Sequence, residues 1–185
     1  AKPVHPSPTE PPNQAALTLL KQQPPLLDVR APGEFQLGRL PNSFNAPILN
    51  DEERARVGTT YKQDGHEAAV ALGHQLVSGE IKEKRVAAWQ AYCQANPDAL
   101  IMCWRGGQRS GLAQQWLGEA GLIREKVPGG FKALRSACLQ VLDNPRKKWW
   151  LLSGRTGSAK TVLIQALPQS VDLEGLANHR GSAFG

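Results

Sequence analysis

The fold of this chain is decided by one stretch, Leu100-Ile101-Met102-Cys103-Trp104-Arg105-Gly106-Gly107-Gln108-Arg109-Ser110. Its first four residues are apolar and predict a buried strand that ends at Cys103. Gly106 and Gly107 then predict a tight loop, and the residues after it predict a helix through Leu117. The stretch is therefore predicted to form a strand, a glycine-rich loop and a helix.

This loop has the features of an anion-binding site beside a reactive thiol. A backbone that curls at glycine points successive N–H groups inward, and the start of a helix adds to their positive field. The same field lowers the pKa of a thiol, so Cys103 is predicted to be the catalytic nucleophile. The residues predicted to bind the anion are Arg105, Gly106, Gly107, Gln108, Arg109 and Ser110.

The other two cysteines have a different setting. Cys93 lies at helical spacing from Val86 and Trp89, and Cys138 lies likewise on a helix with Leu134. Both are interpreted as small buried hydrophobic residues rather than as nucleophiles.

Outward from the loop, strands alternate with helices. This alternation predicts an α/β fold in which a mostly parallel sheet has helices on both faces. The charged stretch 50–65 shows no clear period and is interpreted as an ordered insertion, and 31–33 is interpreted as a turn. The predicted strands are 26–29, 44–46, 100–103, 125–127 and 149–152. The predicted helices are a short one from residue 13, then 67–77, 79–95, the one after the loop, and 131–142.

The composition is that of a globular protein, with 41% hydrophobic and 21% charged residues in 185. A formal charge of +6 makes a polyanionic partner plausible. Three cysteines without framework spacing favour a reducing compartment. Because no apolar run approaches the roughly 20 residues of a membrane span and no signal peptide is visible, we expect a cytoplasmic location without membrane contact.

A second motif follows the apolar run 149–152. It reads Gly154-Arg155-Thr156-Gly157-Ser158-Ala159-Lys160-Thr161, which has the spacing of a phosphate-binding P-loop except that Ala159 replaces its second glycine. A Cβ at this position would crowd the loop unless φ is negative. The residues predicted to bind a phosphate or diphosphate are Gly154, Thr156, Gly157, Ser158, Lys160 and Thr161.

Several motifs together resemble known families. The residues Asp28-Val29-Arg30, Glu34-Phe35, Gly38, Pro41 and Asn45 resemble the opening of a rhodanese domain, in which the loop cysteine carries a persulfide. The wider match resembles bacterial tRNA 2-selenouridine synthase. It includes Asp51-Glu52-Glu53-Arg54, Val57-Gly58-Thr59, Tyr61-Lys62, Leu72-Gly73, the Cys103 loop, Gly129-Gly130-Phe131-Lys132-Ala133, Asp172-Leu173-Glu174-Gly175 and 179–185.

This resemblance implies a rhodanese-like sheet followed by a P-loop α/β domain. It implies an enzyme that converts wobble 2-thiouridine of tRNA to 2-selenouridine through a geranylated intermediate. Its substrates would be selenophosphate and geranyl diphosphate, with Cys103 needed for the selenium step. No tightly bound cofactor and no metal site in the protein are expected, although Mg²⁺ is a candidate ion at the P-loop. Whether the P-loop takes a nucleotide or the prenyl diphosphate is left open.

The predicted domains are a flexible leader at 1–12, a rhodanese domain at 13–145 and the first part of a P-loop domain at 146–185. Because a P-loop domain normally needs more residues, we expect this one to be incomplete. The basic run 146–148 is interpreted as a solvated linker in preference to a tRNA contact. His179-Arg180 is a candidate anion-binding loop, and Asp172 with Glu174 would either bind a metal or cap a helix.

Two other activities fit the same loop. Cys103 and Arg109-Ser110 also form the Cys-x5-Arg-Ser pattern of phosphatases, in which the arginine binds phosphate through two parallel hydrogen bonds. Against this, Met102 stands where tyrosine phosphatases usually have histidine. A simple sulfurtransferase is the other alternative, whereas an inert binding module is disfavoured by the glycines and arginines around Cys103.

Overall fold

The computed structural model describes residues 13–143 and 148–176, without the side chain of Glu174. Its contacts divide the chain into two compact units, Ala1–Asn144 and Pro145–Gly185. The first unit contains a parallel sheet of β1 (Leu26–Asp28), β2 (Ser43–Asn45) and β3 (Leu100–Met102) in the order β2-β1-β3. Because neighbouring strands are parallel, the chain must cross over the sheet between them, and each of these connections contains at least one helix.

The helices of the first unit are α1 (Gln14–Gln22), α2 (Pro32–Gln36), α3 (Asp51–Asp64), α4 (His66–Leu76), α5 (Gly79–Ala95), α6 (Gln108–Glu119) and α7 (Gly130–Asp143). The second unit contains α8 (Lys160–Ala166) and α9 (Leu173–Leu176). Within the described ranges, no helix is both long enough and apolar enough to cross a membrane.

The strands β1 and β3 contribute buried side chains to both faces of the sheet, because successive side chains of a strand point to opposite sides. Leu27 and Ile101 pack with Trp89 of α5 and Trp116 of α6, whose rings stack with centroids 6.0 Å apart. On the opposite face, Leu26, Met102, Ala16 of α1, and Phe131 and Leu134 of α7 form a second buried cluster. The predicted α/β architecture, a parallel sheet between helices, is confirmed.

One fully buried ion pair lies at the end of the central strand. Arg30 Nη2 lies 2.7 Å from Asp28 Oδ2, and neither side chain is exposed. Arg30 also donates to the carbonyl oxygens of Glu34 and Gly38 and stacks over the ring of Phe131 at 3.9 Å. These contacts tie β1 to α2 and α7, so this pair organises the first unit.

The prediction of an irregular insertion at 50–65 is wrong, because this stretch forms α3. Asn50 Oδ1 accepts from the Glu53 N–H, and a Glu53 carboxylate oxygen accepts from the Asn50 N–H, both at 2.8 Å. This capping box, with acidic residues in the first turn, favours the helix start. The apolar period was too sparse to reveal the helix, since no α3 residue is fully buried.

Three smaller expectations are also corrected. The predicted strand at 125–127 is reduced to one bridge between Lys126 and Ile101, because the chain then turns into α7. The predicted turn at 31–33 contains the start of α2. The predicted strand at 149–152 is not formed: Trp150 is 94% exposed, and the described part of the second unit has no strand to pair with it.

We predict that Arg30→Met lowers the free energy of unfolding by about 3–5 kcal/mol, because it leaves the Asp28 carboxylate buried and unpaired. Urea denaturation followed by circular dichroism measures this loss. Lys84→Met, which breaks the exposed pair with Glu80, is the control and should change stability by less than about 1 kcal/mol. Equal effects of the two substitutions would contradict the organising role of Arg30.

Candidate active site

The loop after β3 is fastened to the start of α7. The N–H of Phe131 donates to the Cys103 carbonyl and the N–H of Lys132 donates to the Trp104 carbonyl, both at 2.9 Å. The approach is so close that a Cβ at Gly130, where φ is +60°, would overlap the Cys103 carbonyl oxygen. With the first loop carbonyls occupied by α7, the loop backbone is held in place from outside.

Cys103 lies inside this loop and is only 3% exposed. Its Sγ is 3.2 Å from the hydroxyl oxygen of Ser110, which is itself completely buried. Burial alone would raise the pKa of the Cys103 thiol. The hydrogen bond between Sγ and the Ser110 hydroxyl, the hydrogen bonds from the N–H groups of Ser110 and Arg105, and the charge of Arg109 outweigh that effect. Together they hold this pKa below its usual value.

The thiols of the other two cysteines are shifted away from the thiolate form, in keeping with their interpretation as hydrophobic residues. Burial raises the pKa of both Cys93 and Cys138 above the ordinary thiol value. Cys93 is fully buried in the core and Cys138 is partly buried on α7. Of the three thiols, only Cys103 has its thiolate favoured by its surroundings.

Arg109 is engaged by a carboxylate that sequence reasoning did not assign to the site. Its Nη1 and Nη2 lie 2.5 and 3.1 Å from the two carboxylate oxygens of Glu34, and Arg54 approaches the same carboxylate at 3.1 Å. Burial raises the pKa of Glu34, but these arginines lower it overall, so it stays ionised. Any anion at the loop therefore competes with Glu34 for Arg109.

The remaining loop residues occupy distinct positions. The Arg105 side chain is exposed, whereas Gly106 has φ of +67° and a Cβ there would come within 2.8 Å of the Val127 carbonyl oxygen. Gln108 begins α6, and its Nε2 lies 2.6 Å from Nε2 of His66 at the start of α4. Glu34, His66 and Gly130 are the residues that sequence reasoning missed as parts of this site. Glu34 and Gly130 stood inside motifs, but no spacing rule gave them a role.

A partly open cavity of about 380 Å³ adjoins the loop on the α6 side. It lies between α3, α4 and α6, and apolar atoms form most of its surface. Gln108 and Arg109 of the first turn of α6 are part of its wall, whereas Ser110 of the same turn contacts Cys103. The thiol and the cavity are therefore on two sides of one helical turn.

The P-loop motif of the second unit folds around its own lysine. Lys160 Nζ donates to the carbonyl oxygens of Gly154 at 2.7 Å and Arg155 at 2.8 Å, and lies 3.5 Å from the Ser158 hydroxyl. Ala159 has φ of +57°, the left-handed conformation that the missing glycine would adopt at little cost. Thr156, Gly157 and Thr161 are exposed, as are most residues of this motif.

The acidic pair further along includes a helix cap. Asp172 Oδ1 accepts from the Gly175 N–H at 3.0 Å, in keeping with a cap at the start of α9. Among the residues with described positions, no group of three or more His, Cys, Asp and Glu side chains is placed to hold a metal ion. The described residues do not include Arg146 and Lys147 of the basic run, or His179 and Arg180 of the candidate anion-binding loop.

A solved structure with the same kind of α/β fold is similar to this chain. It is the N-terminal domain of a "putative ATP/GTP binding protein" from Clostridium difficile 630. The two chains are 32% identical with a TM-score of 0.57, over 62% of this chain and 88% of that one. At this identity and coverage, the chain belongs to the same family as that domain.

A match to a family model adds the more particular finding. Residues 147–185 match the model described as the tRNA 2-selenouridine synthase AAA domain. This segment includes the P-loop motif, so the resemblance stated for the C-terminal part of the chain is confirmed. The rhodanese assignment of the first unit stays a prediction.

We predict that Ser110→Ala raises the pKa of Cys103, because it removes the hydroxyl that hydrogen-bonds to the thiolate. The thiolate is the reactive form, so alkylation is fast above the pKa and slows as the pH falls through it. In the native protein this fall should occur at lower pH than for an unperturbed thiol of about 8.5. In Ser110→Ala the midpoint should move upward.

The pH dependence of alkylation, followed at Cys103 by mass spectrometry, measures this midpoint. Ser78→Ala is the matched control, since the Ser78 hydroxyl is exposed and bonds only to the Gln75 carbonyl. An unchanged midpoint in Ser110→Ala would show that the hydroxyl does not stabilise the thiolate.

Proposed function

We propose that this chain acts on tRNA and takes part in replacing the sulfur of wobble 2-thiouridine by selenium. The observation that carries the proposal is the buried, hydrogen-bonded Cys103 with its lowered pKa. It lies in the same chain as a segment that matches the selenouridine synthase model. The formal charge of +6 favours a nucleic acid partner.

In this proposal the Cys103 loop handles the selenium donor. Selenophosphate is a small tetrahedral anion, and N–H groups of Arg105 and Ser110 already point toward the sulfur. Such donors stabilise negative charge in a buried site. The overall exchange forms a C2–Se bond and breaks the C2–S bond and the P–Se bond of selenophosphate. Water adds its oxygen to phosphorus, so that phosphate is released, and geranylthiol leaves with a proton. Cys103 is assigned as the nucleophile of this exchange.

The P-loop is assigned to the earlier step, in which the sulfur is geranylated. Lys160 would neutralise the diphosphate of geranyl diphosphate, and Thr161 supplies the hydroxyl that P-loops use for Mg²⁺. To do so, Lys160 Nζ exchanges the Gly154 and Arg155 carbonyls for phosphate oxygens. The chain would need no tightly bound cofactor for this chemistry.

A specific contact argues against the phosphatase alternative. In a Cys-x5-Arg phosphatase the arginine must present both of its nitrogens to the phosphate. Here both nitrogens of Arg109 bind the Glu34 carboxylate, so neither nitrogen is presented to a phosphate. A simple sulfurtransferase would use the same thiolate, and the reaction products distinguish it from a selenium transferase.

We expect Cys103→Ser to abolish selenium incorporation into geranylated tRNA, because a hydroxyl of ordinary pKa is a poor nucleophile and chalcogen carrier. The fold should persist, since serine is nearly isosteric. Mass spectrometry of the tRNA nucleosides measures the product. Cys93→Ser and Cys138→Ser are the controls, which should retain activity and lose some stability.

Equal loss of activity in all three variants would exclude Cys103 as the unique nucleophile. Hydrolysis of a phosphate monoester that depends on Cys103, with no change to tRNA, would favour the phosphatase. Transfer of sulfur from thiosulfate to cyanide, without selenium incorporation, would favour the simple sulfurtransferase.

We expect Lys160→Ala to weaken geranylation and to leave selenium exchange on pre-geranylated tRNA largely unchanged. The two half-reactions, assayed separately, measure this difference. Ala159→Gly should stabilise the loop, because glycine adopts a φ of +57° without the cost of about 1–2 kcal/mol that a Cβ adds there. If Lys160→Ala slows both half-reactions equally, the division of labour between the two motifs is wrong.

A further inference from the structure

No step of the reaction proposed above uses Glu34, although this residue lies beside the Cys103 loop. Its side chain is only 11% exposed. Burial raises its pKa, but hydrogen bonding and the charges of Arg109 and Arg54 lower it overall, so the carboxylate is ionised. An ionised carboxylate only accepts hydrogen bonds, so it takes up donors that a bound anion would otherwise use.

The Glu34 carboxylate occupies both terminal nitrogens of Arg109. Nη1 of Arg109 lies 2.5 Å from Oε2 of Glu34, and Nη2 lies 3.1 Å from Oε1. Two parallel hydrogen bonds of this kind are also the arrangement with which an arginine binds a phosphate. Glu34 therefore makes, from within the chain, the contact that a phosphate in the loop would make with Arg109.

Other contacts hold Glu34 in this position. Its Oε2 accepts from the Ala31 N–H at 3.1 Å and lies 3.1 Å from Nε of Arg54 on α3. Its carbonyl oxygen accepts from the buried guanidinium of Arg30 at 3.3 Å. Because both the backbone and the carboxylate of Glu34 are fixed, the guanidinium of Arg109 is held at the place that Glu34 sets.

Arg109 nevertheless acts on the reactive thiol through its charge. Burial lowers the pKa of Arg109, whereas the hydrogen bond and charge of Glu34, with the charges of Cys103 and Asp28, raise it overall. The Cys103 thiolate and the Glu34 carboxylate thus share one guanidinium, and the carboxylate has its hydrogen bonds. Arg109 supplies charge to the loop while its donors are in use elsewhere.

We propose that Glu34 is a positioning residue that withholds the nitrogens of Arg109 from phosphate, so that the loop binds its anion through backbone N–H groups. The inference rests on the proposed function for the identity of the anions, which are selenophosphate as donor and phosphate as product. Both are tetrahedral and both would gain from a bidentate arginine. Binding that is equal for donor and product does not speed the transfer, and it delays product release. Glu34 would thus select against tight phosphate binding.

The test measures the affinity of the loop for inorganic phosphate. Phosphate in the loop slows alkylation of Cys103 by iodoacetamide, an uncharged reagent, at fixed pH and at an ionic strength held constant with sodium chloride. Glu34→Gln removes the charge and keeps the size of the side chain. Phosphate should then protect Cys103 at a concentration at least about tenfold lower than in wild type, because Arg109 becomes available to it.

Glu119→Gln is the matched control, since it makes the same change at the other end of α6, where Glu119 pairs with Lys82 at the surface. Phosphate should protect this variant and wild type alike. Without phosphate, the pH midpoint of alkylation should fall in Glu34→Gln, because the carboxylate no longer competes with the thiolate for Arg109, while Asp28 and Arg54 are unchanged. Equal phosphate affinity in the two variants, or a midpoint that does not fall, would overturn the proposal.

Arg109→Lys gives a test that does not depend on the folding of Glu34→Gln. Lysine keeps the charge but lacks the planar pair of donors. Arg109→Lys alone should change the phosphate affinity by less than about threefold, because that pair of donors is not in use on phosphate. Added to Glu34→Gln, it should remove most of the gain. A tenfold loss of affinity in Arg109→Lys alone, or a gain that persists in the double variant, would contradict the role of Glu34.

A last experiment separates this inference from the proposed function. In selenium exchange on geranylated tRNA, added phosphate should inhibit Glu34→Gln at a concentration about tenfold lower than wild type. If the phosphate affinities follow the expected order but no tRNA gains selenium, Glu34 controls anion binding and the proposed function fails. If wild type transfers selenium while Glu34→Gln and Glu119→Gln bind phosphate equally, the proposed function stands and the assignment of Glu34 is wrong.

Discussion

The buried ion pair between Asp28 and Arg30 is the interaction on which the first unit depends. Two charges without solvent are stable only when further hydrogen bonds satisfy them. Arg30 meets that condition by binding the carbonyl oxygens of Glu34 and Gly38, which fixes α2 beside the end of β1. Because α2 carries Glu34, the same pair places the carboxylate that holds Arg109. The buried ion pair and the charged groups beside the Cys103 thiol thus belong to one connected network of hydrogen bonds.

That network changes how the reactivity of Cys103 is to be understood. A loop with two arginines invites an explanation by positive charge, but the Arg105 side chain is exposed and Arg109 is largely neutralised by Glu34. The strongest contributions that favour the thiolate are hydrogen bonds from Ser110 and from backbone N–H groups. Neutral donors of this kind are held at fixed distance and are little affected by salt. Oriented O–H and N–H dipoles therefore stabilise the thiolate more than charged side chains do.

The elements that could be predicted from the sequence were those with a strong local pattern. The apolar run before Cys103 and the glycines after it predicted β3, the loop and α6, and the burial of Cys93 followed from its spacing to Trp89. Helix α3 was missed because its stability comes from the Asn50 capping box and from distant partners such as Arg85. The predicted strand at 149–152 failed for the opposite reason, since its apolar residues have no neighbouring strand among the described residues.

The tie between the Cys103 and Trp104 carbonyls and the start of α7 has a thermodynamic consequence for ligand binding. A free loop would lose about 1–2 kcal/mol of conformational entropy for each residue that it orders around a ligand. Here that loss has already occurred during folding, and Gly130 allows the close approach that makes it possible. An anion entering the loop meets donors in their final positions, so its affinity is not reduced by loop ordering. Packing of α7 during folding therefore orders the ligand-binding loop, which lies nearly thirty residues earlier in the chain.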